Sequence, residues 1–282
     1  MTLYLVGTPI GNLEDMTYRA VRILQSVDFI AAEDTRHTAK LLQHFQINTP
    51  QISYHHHNRN SRIPELINLL QQGKSIAIVT DAGMPTISDP GLEIVQEAIA
   101  CGIEVIPIPG VTAVITALAV AGKDSSRFVF EGFLPTKAKL RKTRLNQLER
   151  ETRTIILYEA PHRLVTTLED LAQLGSDRPL VLARELTKLH EEFWRGTIAE
   201  ARELYQQKQP QGEYTLVVGG YQETEIEYLD ENQLKQELNR LIAQGMSLTQ
   251  ACKEISPFTN FSRRELYQLG IAKKNFAEGD RK

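Results

Sequence analysis

Short apolar runs alternate with segments of helical apolar spacing along the first part of the chain. The runs predict strands over 2–6, 28–32, 51–54, 76–80 and 104–108. The spaced segments predict helices over 16–25, 38–45, 63–72, 91–100 and 111–121. Strands that alternate with helices argue for a mainly parallel sheet covered on both faces. Gly122-Lys123-Asp124-Ser125-Ser126 breaks the rhythm, and a second round begins. It predicts strands over 128–131, 154–158, 180–184 and 215–218, with helices over 137–150, 161–172 and 197–207. Several connections there are short, so the second sheet is expected to be mixed. The acidic, polar stretch 222–231 reads as a linker. Beyond it, Leu234, Leu238, Leu241 and Ile242 mark one amphipathic helix, and Leu248, Ala251, Cys252 and Ile255 mark another. Ser262-Arg263-Arg264-Glu265 is a capping box opening a third. Three short helices suit a helix-turn-helix-like appendage. The expected division is 1–122, 123–221 and 230–282.

The loops after the predicted strands carry the chemistry. Open α/β sheets bind ligands outside the carboxyl ends of their strands. Three loops of the first round lie there: Val6-Gly7-Thr8-Pro9-Ile10-Gly11-Asn12, the run from Thr80 to Gly91, and Pro109-Gly110-Val111-Thr112-Ala113. Gly7 and Gly11 permit close backbone approach. The dinucleotide fingerprint G-x-G-x-x-G is absent, which disfavours a nicotinamide enzyme even though Glu33 ends the second strand. Asp81 is placed to accept hydrogen bonds from a ligand, and Ala82 and Gly83 leave room for a flat ring or a sugar. Ser88 or Asp89 is expected to cap the next helix, with Pro90 at its first position. Thr112 and Ala113 open a helix of small residues whose main task is packing.

Composition narrows the class. A hydrophobic content of 41% and a charged content of 24% are ordinary for a globular enzyme. Cys101 and Cys252 make no disulfide framework, so a reducing, cytoplasmic setting is expected. The start lacks a basic leader, and no apolar run is long enough to span a bilayer, so neither secretion nor a membrane partner is expected. The net charge of -3 confines any nucleic-acid surface to a local patch.

Five motifs in order resemble the tetrapyrrole methylase superfamily. They are the Gly7–Asn12 run, Glu33-Asp34-Thr35-Arg36, the Asp81–Gly91 loop, Pro109–Ala113 and Tyr158-Glu159-Ala160-Pro161-His162-Arg163. Within the superfamily the chain is most similar to the branch acting on ribosomal RNA. The resemblance spans nearly the whole chain. It implies two α/β domains with a cofactor cleft between them, plus the terminal helical piece. It implies S-adenosyl-L-methionine in the cleft, a homodimer, and 2'-O-methylation of a cytidine ribose in the decoding region of 16S rRNA, free or in the small subunit. By the superfamily pattern, cofactor contacts fall on Gly7, Thr8, Pro9, Asp81, Ala82, Gly83, Met84, Thr112 and Ala113. The second domain adds Leu157, Tyr158, Ala183, Tyr214 and Thr215. Thr8-Pro9 stands where tetrapyrrole-modifying relatives carry extra glycines, which favours the RNA branch over a corrin-precursor methylase.

Methyl transfer needs an aligned nucleophile and excluded water. A ribose hydroxyl is a poor nucleophile at neutral pH, so a base helps. Glu33, Asp34, Glu159 and Glu185 are candidates, and Arg36, Arg163 and Arg184 are placed to orient phosphate or pair with those acids. The sequence does not choose among them. His55-His56-His57-Asn58-Arg59-Asn60 invites a metal, with His55 and His57 on one strand face, but a polar loop near RNA fits better and no metal is expected. Lys137, Lys139, Arg141, Lys142, Arg144, Arg150 and Arg153 form the densest basic run, and Lys137, Arg141 and Arg144 share a helical face. That face suits phosphate. Lys253, Arg263, Arg264, Lys273 and Lys274 suit a second RNA contact or a dimer prop. A third possibility, a non-enzymatic nucleic-acid binder, leaves the three ligand loops unexplained.

Overall fold

The computed structural model describes residues 1–222 and 229–271. The part of the expected linker at 223–228, and Lys273 and Lys274, lie outside the described residues. Two compact units result, 1–221 and 222–282.

The first unit holds two five-stranded sheets. The strands of the first are β1 (Thr2–Val6), β2 (Phe29–Ala32), β3 (Gln51–Ser53), β4 (Ser75–Val79) and β5 (Glu104–Ile108). Their order is β3-β2-β4-β1-β5, and every pairing is parallel. The crossovers are α1 (Tyr18–Ser26), α2 (Thr35–His44), α3 (Arg59–Gln71) and α4 (Leu92–Ala100), and α5 (Ala113–Val120) follows β5. Both faces of the sheet are covered: Val6, Ile30, Ala77 and Val79 pack with Leu24 of α1, while Leu3, Ile76 and Ile78 pack with Leu66 of α3 and Ile94 of α4. That double burial is why these strands read as continuous apolar runs.

The second sheet comprises β6 (Phe128–Phe133), β7 (Thr154–Glu159), β8 (Pro179–Arg184), β9 (Glu192–Thr197) and β10 (Tyr214–Val218). Only β6 and β7 are parallel, joined through α6 (Ala138–Leu148); the other pairings are antiparallel, in the order β6-β7-β10-β8-β9. α7 (Pro161–Leu171) and α8 (Ile198–Gln207) complete the layer, with Pro161 at the first turn of α7 and a Thr197–Glu200 capping box on α8. The alternating side chains split two cores. Ile155, Leu157, Leu180 and Leu182 face α7 and α8, whereas Ile156, Val181 and Val217 face α5. The second core joins the two sheets into one unit.

β9 lies outside the strands that the apolar pattern predicts. It lies at the sheet edge and mixes Glu192, Arg195 and Gly196 with Phe193 and Trp194, so no apolar period marks it. His55–His57 fall in a turn after the short β3 and not on a strand.

The terminal unit packs α9 (Glu231–Ala243), α10 (Leu248–Ile255) and α11 (Arg263–Ile271) around Leu234, Leu238, Ala251, Cys252, Ile255 and Leu266. Ser262 and Glu265 form the expected reciprocal cap. Ile242, expected in the apolar stripe, is exposed. No helix among the described residues is long and apolar enough to cross a membrane.

Candidate active site

At the carboxyl edge of the first sheet, three loops are fastened to one another. Thr8 and Gly83 exchange backbone hydrogen bonds: the Thr8 N–H donates to the Gly83 carbonyl at 2.9 Å, and the Gly83 N–H returns to the Thr8 carbonyl at 3.1 Å. The Thr8 hydroxyl donates to the Thr80 carbonyl at 3.1 Å. The Gly7 N–H donates to Ile108 at the end of β5, also at 3.1 Å. A Cβ on Gly7 would lie 2.7 Å from the Gly110 Cα, and one on Gly110 would lie 2.9 Å from the Gly7 Cα. Both positions must be glycine for the loops to touch.

The β4 loop is also strained. Thr86 and Ser88 sit at φ 77° and 66°. Such backbone costs about 1–3 kcal/mol per residue and persists where the surroundings enforce it, often at functional sites. The strain carries Asp89 away from the capping role expected of it. Gly91 occupies the position before α4, with no side-chain cap, and Asp89 faces a cavity instead. Burial, helped by the nearby charges of Glu33 and Asp81, pushes its carboxyl up to about 7, against the Thr80 hydroxyl hydrogen bond that lowers it. No cation contributes to that balance.

The second sheet supplies the opposite wall. In its antiparallel register Tyr214 lies across from both Glu159 and Arg184. The start of β10 therefore meets the ends of β7 and β8 at one edge. Tyr158, Ala183, Tyr214 and Thr215 line the cavity from there. The cavity has a volume of ≈ 510 Å³. Ile10, Met84, Ile87, Phe133 and Leu186 give it an apolar character, while Asp89, Thr112, Lys188 and Glu213 add polar groups. That combination of size and lining is typical of small-molecule sites. Burial raises the Tyr158 phenol to about 12, with the Asp89 charge adding to it, so Tyr158 stays neutral.

The model of the tetrapyrrole (corrin/porphyrin) methylases matches residues 2–202. A ribosomal RNA small subunit methyltransferase I from Synechocystis is 56% identical over 95% of this chain and 97% of its own. Its counterpart from Bacillus subtilis is 46% identical over 94% of this chain and 92% of its own. The chain belongs to the ribosomal RNA small subunit methyltransferase I family. A member of the family from Thermotoga maritima is 49% identical and matches 77% of this chain but 98% of its own length. The fold alone extends further: a uroporphyrin-III-C-methyltransferase from Thermus thermophilus superposes with a TM-score of 0.57 at 21% identity, covering 77% of this chain and 94% of that one.

Part of the expected cofactor set lines the cavity: Ala82, Gly83, Met84, Thr112, Ala113, Tyr158, Ala183, Tyr214 and Thr215. Gly7, Thr8, Pro9, Asp81 and Leu157 do not. Gly7 and Thr8 fasten the loops, as above. Leu157 is fully buried on the far side of β7, because neighbouring strand positions face opposite ways. Asp81 is exposed, and its carboxylate accepts the Asp34 N–H at 3.3 Å.

Most of the expected catalytic acids are already engaged. Asp34 pairs with Arg36 at 2.7 Å on the surface, and the guanidinium holds its carboxyl well below the usual range. Glu33 accepts the Asp81 N–H at 3.3 Å, and burial raises its carboxyl. Glu185 accepts from Lys188 at 2.9 Å and from the Glu213 N–H at 2.9 Å. Arg184 donates to the Gln211 carbonyl at 2.6 Å and to Glu192 at 3.1 Å. Glu159 lines the cavity, but its side chain is fully buried. It holds Arg163 at 3.3 Å, the Ala160 N–H at 2.9 Å and the Thr167 hydroxyl. Asp89, the acid that sequence reasoning set aside, is the one facing the cavity without a cation.

The histidine run serves its own turn: the His55 Nδ1 accepts the His57 and Asn58 N–H groups at 3.2 and 3.3 Å. On α6, Arg141 is committed to Asp170 at 2.5 Å and Thr167 at 2.7 Å, and Arg144 is committed to Glu131. The basic face predicted through Lys137, Arg141 and Arg144 is thus largely neutralised. Lys137, Lys139 and Lys142 are exposed and form no ion pair among the described residues.

Proposed function

We propose that this methyltransferase uses S-adenosyl-L-methionine to methylate the 2'-oxygen of a cytidine ribose in the decoding region of 16S rRNA. Asp89 accepts the hydroxyl proton. The single observation that carries the reading is a cavity-lining carboxylate raised to about 7 beside acids and not cations. A general base works best when its pKa lies near the working pH.

The cavity fits the cofactor. Apolar walls at Ile10, Met84 and Leu186 suit a purine, and the start of α5 at Thr112 and Ala113 favours a carboxylate. The uncompensated Asp89 favours a cation. The chemistry supplied by S-adenosylmethionine, when bound, is an electrophilic methyl carbon on a sulfonium. Asp89 holds and then receives the proton of the sugar hydroxyl. Apolar side chains exclude water, so no solvent acceptor competes for the hydroxyl proton. Lys137, Lys139 and Lys142 are available to phosphate, consistent with an RNA substrate in a protein of net charge -3. The small ribosomal subunit as substrate, a homodimer and a cytoplasmic setting complete the proposal. The family resemblance supports these three. A corrin-precursor substrate has support only from distant fold relatives.

The test is to map 2'-O-methylation on 16S rRNA from cells lacking the gene, with and without complementation. A single cytidine site should disappear and return. A full set of ribose methyl marks in the deletion strain would overturn the substrate reading.

A further inference from the structure

Resting on that reading, the geometry points to Phe133 as the platform on which the target nucleobase stacks once it is swung out of the RNA. Three observations converge on this side chain.

The first is its placement. Phe133 lines the cavity, yet it is 50% exposed. A phenylalanine half in water at a ligand cavity lacks a partner on one face. The ring also leans on Tyr158, with centroids 5.7 Å apart and planes inclined by 59°, and Tyr158 in turn meets Phe130 edge-on at 4.9 Å. The platform is therefore backed by a short cluster of tilted and edge-on aromatic rings.

The second is how the chain aims it. β6 pairs with β7 as Phe130 with Ile156, then Gly132 with Leu157 and Phe133 with Tyr158, so the register slips by one residue between Phe130 and Gly132. Without the slip, Phe133 would face the side opposite Phe130. With it, Phe130 and Phe133 meet the same Tyr158 ring. Gly132 makes the irregularity possible at φ 60°, and a Cβ there would lie 2.9 Å from the Ser88 hydroxyl. A β-bulge that re-aims one side chain beside an active site is a recurrent device. Here it turns a phenylalanine toward the cavity, next to the loop that carries Asp89.

The third is chemical. A 2'-oxygen that reaches the cavity brings its base along, because the base hangs from the adjacent sugar carbon. Unstacked RNA bases are recognised by stacking on aromatic side chains, and extruded bases are gripped by aromatic or apolar side chains. In the chain, Phe133 is followed closely by Lys137 and Lys139, both exposed.

The experiment compares Phe133→Ala, Phe133→Leu and Phe133→Tyr using small subunits from a strain lacking the methylase. Calorimetry gives the S-adenosylmethionine Kd, and initial rates give kcat and KM for the subunit. Stacking predicts that Ala and Leu lower kcat/KM for the subunit by about 5- to 100-fold, since one base on an aromatic ring contributes on that scale. Tyr should stay within about threefold of wild type, an order-of-magnitude expectation for a retained ring face. The cofactor Kd should move little in all three. A Leu variant as active as wild type would show that bulk alone suffices, and a cofactor Kd weakened as much as kcat/KM would make Phe133 a cofactor wall. Either result overturns stacking while leaving the proposed function intact. Wild-type enzyme that transfers no methyl to the subunit would overturn the function and the stacking together.

Discussion

The two sheets treat their acids in opposite ways where they face each other. On the second sheet's side, each carboxylate near the edge has a cation: Glu159 has Arg163, Glu185 has Lys188, Glu192 has Arg184 and Glu131 has Arg144. On the first sheet's side, Asp34 is neutralised by Arg36, but Glu33 and Asp89 are raised by burial and by neighbouring acids. Paired charge holds a wall rigid. Unpaired charge held near neutrality is what proton transfer needs. The strain in Thr86 and Ser88 falls on the same side. On the proposed reading, the parallel sheet carries the chemistry and the mixed sheet builds the wall against which it works.

The sharpest way to break this contrast is Asp89→Asn. Methyl transfer should fall by about 10²- to 10⁴-fold, the usual contribution of a general base. The wild-type kcat/KM, which reports the free enzyme, should rise with pH through a midpoint near 7, as Asp89 ionises among Glu33, Asp81, Tyr158 and the Thr80 hydroxyl. A flat wild-type profile across that range, or an Asn variant within tenfold of wild type, would remove Asp89 from the mechanism.

Next in size is Glu159→Ala, which probes the wall. It leaves Arg163 without its carboxylate, although the Leu134 carbonyl still accepts from it at 2.6 Å. Breaking a buried pair in this way costs about 3–5 kcal/mol. Urea unfolding should show that loss. A change below about 1 kcal/mol, the scale of an exposed pair, would mean that the wall does not depend on its paired charge.

The smallest effect is the stability of Asp89→Asn. The carboxyl rises from 3.8 to about 7 on folding, so folding favours its neutral form. That contribution is complete below the ordinary value and is lost as pH climbs through about 7. The variant should match wild type near pH 4 and exceed it by about 1–3 kcal/mol near pH 8, a range kept below the full linkage value. Melting curves that show wild type more stable at the higher pH would reverse the sign and sink the argument.

The two units differ as well. The family model ends at residue 202, and the Thermotoga relative matches only 77% of this chain while being covered almost completely itself. Both comparisons centre on a part smaller than the whole chain, and the cavity belongs wholly to the unit over 1–221.

The sequence determined the elements with a strong period. The central strands β2 and β4 of the first sheet were legible because both of their faces are buried. The start of α7 was legible from Pro161, and the cap of α11 from Ser262 and Glu265. So was the wealth of loops at one sheet edge. β9 was not legible, because an edge strand needs no continuous apolar run. Asp89 was misread because Asp-Pro before a helix is a local capping signal, whereas the chain runs through positive φ at Thr86 and Ser88 and leaves Gly91 before α4. The pairing of Arg141 and Arg144 was hidden for a similar reason. Helical spacing tells which side chains share a face, but Asp170 and Glu131 come from other elements. Local periodicity is a property of neighbouring residues and survives in the sequence. Charge compensation depends on groups brought together from distant positions, so only the tertiary structure decided which acid stood free.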